Sequence, residues 1–120
     1  MRELKGDDFK AVVYGASFYG GGGGGSMEEG MALVEEMLRV ENDPVLEMYD
    51  LEELPDDPNA VATMVAAMGS PIETKGMTFV DEAVSAISGM AEEVRAKGQE
   101  LKYIYSGEMG GGNTILPLYA

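Results

Sequence analysis

Glu108 is the acid whose neighbours could do chemistry. It is followed by Met109, by Gly110, Gly111 and Gly112, and then by Asn113. A carboxylate set after a strand and ahead of small residues can move a proton or ligate a metal. Asn113 can cap a helix, bind a ligand, or do both. Against this stands a plain solvated loop acid, since the chain holds 22 acidic residues. A second constellation has no side chains at all: six consecutive glycines, Gly20 to Gly25, ahead of Ser26. With a capped helix behind them, amides such as those of Gly21, Gly22, Gly23 and Gly24 can turn into a concavity and receive an anion or a polarised carbonyl. A flexible linker is the equal alternative, because ordering six glycines costs roughly 6–12 kcal/mol.

Familiar phosphate and nucleophile loops do not fit. No Gly-Lys-Ser/Thr follows the glycine run, so it is not a P-loop. The run follows a helical pattern rather than a strand, which argues against a dinucleotide fingerprint. There is no Gly-x-Ser-x-Gly elbow, and Ser26 and Ser70 have no histidine to activate them, since the chain contains no histidine. Cysteine is absent as well, which removes disulfides, thiolate chemistry and the usual zinc ligands. A metal held here would need oxygen ligands, or ligands from outside this chain. Ten methionines are expected to fill core.

The elements that must position these residues follow from periodicity. Residues 7 to 19 form a helix on Phe9, Val12, Val13 and Ala16, with Asp7 or Asp8 as its cap; Gly15 weakens it but permits close approach. Ser26 and Glu29 make a capping box for a helix that buries Met27, Met31, Val34 and Leu38, carries Arg39 in its last turn and stops at Asn42-Asp43-Pro44. Val45 to Tyr49 is a short strand, and Asp50 to Asn59 an acidic loop. Ala60 to Met68 is an unbroken apolar run, expected as a strand covered on both faces. Gly69, Ser70 and Pro71 would end it with small residues at a strand's carboxyl end, where α/β sites form. Glu73 and Lys75 are taken as surface residues. Thr78 and Asp81 suggest a second capping box, for a helix running to about Lys97 and stopped by Gly98. Leu101 to Tyr105 is the next strand. Asn113 then caps a last helix from Thr114, with Pro117 in its first turn.

This alternation predicts one α/β domain over 1–120, with a small, mostly parallel sheet flanked by helices. The apolar face of the last helix (Ile115, Leu116, Leu118, Tyr119) has nothing after it to pack against, so an N-terminal part of a longer protein is expected. A net charge of -14 repels nucleic acid and anionic membranes. No run reaches the length of a membrane span and charges interrupt the N-terminus, so a cytoplasmic location is the default.

Gly15-Ala16-Ser17-Phe18-Tyr19-Gly20, Met68-Gly69-Ser70-Pro71 and Glu108-Met109-Gly110-Gly111-Gly112-Asn113-Thr114-Ile115-Leu116-Pro117-Leu118, in this order, resemble the N-terminal domain of the S-methyl thiohydantoin desulfurase family. The resemblance spans nearly the whole chain. It implies hydrolytic removal of sulfur from a thiohydantoin-type ring, assisted by a divalent metal whose ligands lie outside this chain. It implies a missing C-terminal domain, a small-molecule substrate and an isolated chain without activity; a homo-oligomer is compatible with it. Glu108 is then the catalytic candidate. Gly21, Gly22, Gly23, Gly24, Gly69, Ser70, Gly110, Gly111, Gly112 and Asn113 are the substrate-binding candidates. A non-catalytic module holding an anion on its glycine loops, and an interaction domain with a glycine hinge, are the competing functions.

Overall fold

Four helices and two small sheets make up the computed structural model, which describes residues 1–68 and 79–120. In chain order they are β1 (Arg2–Lys5), α1 (Asp8–Gly20), α2 (Met27–Val40), β2 (Val45–Met48), a single 3-10 turn (Leu51–Glu53), β3 (Ala60–Met64), α3 (Val80–Ala96), β4 (Glu100–Tyr105) and α4 (Gly111–Tyr119). The class is α/β, and the parallel pairing expected holds for one of two sheets rather than for a single sheet. β1 pairs with β2 antiparallel, and β3 pairs with β4 parallel, in two separate sheets. The charged N-terminus hid β1 from a periodicity argument: Arg2, Glu3 and Lys5 are exposed and only Leu4 is buried.

The core lies between α1, α2 and α4. Phe9 and Val13 of α1, Leu33, Val34 and Met37 of α2, and Ile115 and Leu116 of α4 are buried together. The apolar face of α4 packs on α1 and α2, elements that precede it in the chain. α2 starts as expected. Ser26 Oγ accepts from the Glu29 amide (3.1 Å), and the Glu29 carboxylate accepts from the Ser26 amide (2.8 Å). Its buried face is rotated slightly, so Met27 is exposed while Gly30 and Leu33 are buried. Asp7 does not cap α1 through its side chain; Asp8 instead accepts from the Lys5 amide at 3.1 Å.

The second layer is the β3–α3–β4 unit. α3 runs close to its expected span, with Val94 and Ala83 buried. Phe79 stands at its N-cap position, and Thr78 of the anticipated capping box lies outside the described residues, as do Glu73 and Lys75. The apolar run from Ala60 does not form a strand covered on both faces. The strand ends at Met64; Val61 and Thr63 are half-buried, whereas Ala62 and Met64 are exposed. Lys102 is the extra residue of a bulge, between Leu101 paired with Val61 and Tyr103 paired with Ala62. Its ammonium lies 3.0 Å from Asp57. The Asn59 amide, and then Lys102, hold the Asp57 carboxyl below the usual range. No helix is long and apolar enough to cross a membrane among the described residues.

Candidate functional site

The glycine run has two halves with different surroundings. Gly21 and Gly22 adopt positive φ and face open space, and Gly23 is only in ordinary contact with the Gly20 carbonyl. Gly24 and Gly25, also at positive φ, are pressed against Met109 to Gly112. A Cβ on Gly24 would overlap the Met109 carbonyl, and one on Gly25 would stand 2.8 Å from the Gly112 nitrogen. Seen from the other side, a Cβ on Gly110 would overlap the Gly24 carbonyl, and one on Gly111 the Ser26 carbonyl. Gly30 on α2 completes the contact, because a Cβ there would overlap the Gly111 carbonyl. Backbone meets backbone with no room for a side chain on either side.

The two glycine clusters therefore converge, and they do so by bonding to each other. The Gly111 amide donates to the Gly25 carbonyl (3.1 Å), and the Gly112 and Asn113 amides donate to the Gly24 carbonyl (3.1 and 2.8 Å). These are the first-turn amides of α4, which a helix cannot satisfy internally. Two carbonyls at the positive end of the helix stabilise it as a cap would. The Gly110 amide donates to Thr114 Oγ1 at 3.2 Å. The α4 N-terminus therefore has none of the amides of Gly110, Gly111, Gly112 or Asn113 left for an anion. Among the described glycine candidates, Gly21, Gly22 and Gly23 have open space where a side chain would be, but the Gly21 and Gly23 amides already donate to the Phe18 and Gly20 carbonyls (3.4 and 3.0 Å).

Asn113 is not the cap expected for it. It is the third residue of α4 and is buried, with a different partner for each of its side-chain hydrogens and one for its oxygen. Asn113 Oδ1 accepts from the Ala67 amide (2.8 Å), and Nδ2 donates to the Ala67 carbonyl (3.0 Å). Nδ2 also donates to Glu108 Oε2 at 3.0 Å. One carboxamide thus ties the chain beyond β3 to the β4–α4 loop. Glu108 is exposed, and its direction is fixed by that bond. Its carbonyl accepts from Ser106 Oγ at 2.6 Å, which closes the loop on itself. Pro117 lies well inside α4 rather than in its first turn. It has no N–H for the Asn113 carbonyl four residues back, and Ser106 Oγ lies 3.2 Å from that oxygen.

Glu108, Asn113, Gly24 and Gly110 to Gly112 are thus brought to one corner, while Gly69 and Ser70 lie outside the described residues. Two features escaped sequence reasoning. One is the part played by Gly30, whose signal was a glycine inside an otherwise regular helical stripe. The other is a cleft of about 400 Å³ at the carboxyl end of β3, lined by Val65, Ala67, Phe79, Glu82, Ala83 and Leu116 among others. None of the described candidate residues lines it.

A family model described as S-Me-THD-like, N-terminal domain, matches residues 7–120. No curated protein matches the chain, and no solved structure does.

Proposed function

This chain belongs to the S-Me-THD-like N-terminal domain family, and we propose that it is part of a larger hydrolase acting on a thiohydantoin or hydantoin ring. The observation that carries this is the Glu108 carboxylate, held at 3.0 Å by buried Asn113 beside the glycine corner. An acid that is both exposed and aimed is what general base work needs: reach to a water, with little freedom to lose. In the proposed step Glu108 takes a proton from a water whose oxygen attacks the ring carbon bearing sulfur. A C–O bond forms and the C–S bond breaks. The Glu108 proton goes to sulfur, and the second water proton leaves the attacking oxygen as the ring carbonyl forms. From a thiocarbonyl both protons end on sulfur, released as hydrogen sulfide. From an S-methyl substrate one ends on sulfur, released as methanethiol, and the other on the ring nitrogen of the former C=N bond.

A resident divalent ion does not fit the described residues. No three acidic side chains gather among them, and Glu108 has an amide rather than a second acid beside it. Such an ion would draw its ligands from outside the described residues. The test is Glu108→Gln in the full-length protein. The release rate should fall by about 10²–10⁴-fold, with an unchanged thermal midpoint, because the side chain is exposed. An undiminished rate would remove Glu108 from the mechanism.

A further inference from the structure

Asn113 uses every polar group it has. Its amide donates to the Gly24 carbonyl, its carboxamide serves Ala67 twice and Glu108 once, and its carbonyl lies 3.2 Å from Ser106 Oγ. In an unbroken helix that carbonyl would accept from the amide four residues on. Residue 117 is a proline, which has no amide hydrogen to give and is the costliest residue in a helix interior. Pro117 thus leaves the Asn113 carbonyl open to a donor from outside α4, and the hydroxyl that reaches it is Ser106. The same hydroxyl donates to the Glu108 carbonyl at 2.6 Å. One proton faces two carbonyls, as in a three-centre bond, and the shorter arm goes to Glu108.

We propose, resting on the general-base reading of Glu108 above, that Ser106 is a positioning residue for that carboxylate. Glu108 is exposed, so packing does not hold it. A glutamate turns on three side-chain torsions, and the loop that carries it can shift as well. The Asn113 carboxamide holds the tip of the side chain, and the Ser106 hydroxyl holds the main chain it hangs from. Both holds lead back to Asn113, one through its side chain and one through the carbonyl that Pro117 leaves open. The carboxylate and its backbone are therefore referred to one buried residue of α4. Without the hydroxyl the tip bond would remain but its base would be loose, and the carboxylate would have more ways to miss the attacking water. Ser106 touches neither water nor ring in this scheme and acts only through Glu108.

The test is kcat and KM for sulfur release by the full-length protein, measured for Ser106→Ala, Ser106→Thr, Glu108→Gln and the double variant Ser106→Ala/Glu108→Gln. Ser106→Ala should lower kcat by about 10–100-fold, the scale of a misaimed catalytic group, at an unchanged KM. Ser106→Thr keeps the hydroxyl and should keep the parent rate. On the Glu108→Gln background the alanine should cost nothing further, because a positioning residue has no effect once the group it positions is gone. Three results would overturn the proposal. Ser106→Ala could work at the parent kcat. Threonine could be as slow as alanine. Or Ser106→Ala could cost the same factor on both backgrounds while Glu108→Gln alone is slow, which would keep Glu108 in the mechanism and take Ser106 out of it. A Glu108→Gln rate equal to the parent's is a different pattern: it removes the carboxylate's role and this inference with it.

Discussion

The two halves of the glycine run share a composition and differ in everything else. Gly24 and Gly25 are locked against the start of α4, and their carbonyls accept its first-turn amides. Gly21, Gly22 and Gly23 turn through open space and touch almost nothing. In the locked half, Gly24 and Gly25, glycine is required because another backbone occupies the place of its side chain. In the open half, Gly21 to Gly23, it is required only where φ is positive, at Gly21 and Gly22. Glycine content alone thus does not identify an anion cradle. What matters is which groups the amides and carbonyls already serve, and here one loop's carbonyls cap the other loop's helix.

The largest effect should come from breaking the locked half. Gly24→Ala adds left-handed strain and drives a methyl into the Met109 carbonyl, which as backbone cannot swing aside. A loss of about 2–5 kcal/mol is expected in chemical denaturation. Gly111→Ala is the sharper version. Its φ is not positive, and alanine in a helix is ordinarily favoured by about 1 kcal/mol. The Ser26 carbonyl nevertheless occupies the Cβ position, so the sign should reverse. A stabilised Gly111→Ala protein would show that the two clusters do not interlock.

The convergence of those clusters could be anticipated because both sit at helix starts, and helix starts gather backbone groups. What could not be anticipated was the direction of the bonds. A glycine amide can face a guest or a carbonyl, and nothing in the sequence distinguishes the two. The Ser26–Glu29 box and the stripe ending at Val94 were evident because capping and 3.6-residue periodicity are local. Asn113 was misplaced by three residues because Gly111 and Gly112 looked like loop, and only contact with Gly24 and Gly25 makes them helix. Strand β1 was missed because its core residue is Leu4 alone. The run from Ala60 was read as doubly covered from apolarity, whereas alanines at 60, 62 and 66 carry too little surface to reveal which face is buried.

Asn113 extends the locked half to the second layer. Asn113→Ala leaves the Ala67 amide and carbonyl without their partner and frees Glu108. Each part-buried group left unpaired costs about 1–3 kcal/mol, so a loss of about 2–4 kcal/mol is expected. Asn113→Asp should do no better. It keeps an acceptor for the Ala67 amide but turns a second acceptor towards the Ala67 carbonyl and the Glu108 carboxylate. Hydrogen exchange at the Ala67 amide reads this directly: it should speed up in both variants. An exchange rate equal to that of the parent would mean that the bond contributes nothing in solution.

Gly23→Ala should have the smallest effect and the opposite sign. Gly23 lies outside the positive-φ set, and its Cβ would meet only the Gly20 carbonyl, at an ordinary 3.5 Å. Alanine there mainly removes conformations from the unfolded chain, a gain of about 0.4–1 kcal/mol where the native backbone accepts it. Gly22→Ala, one residue earlier and equally open, has φ +96 and should lose about 1–2 kcal/mol to strain alone. The pair isolates dihedral from contact within a segment that touches nothing. If Gly23→Ala destabilised as much as Gly24→Ala, the open half would be packed in solution, and the division of the run into a locked and an open part would be wrong.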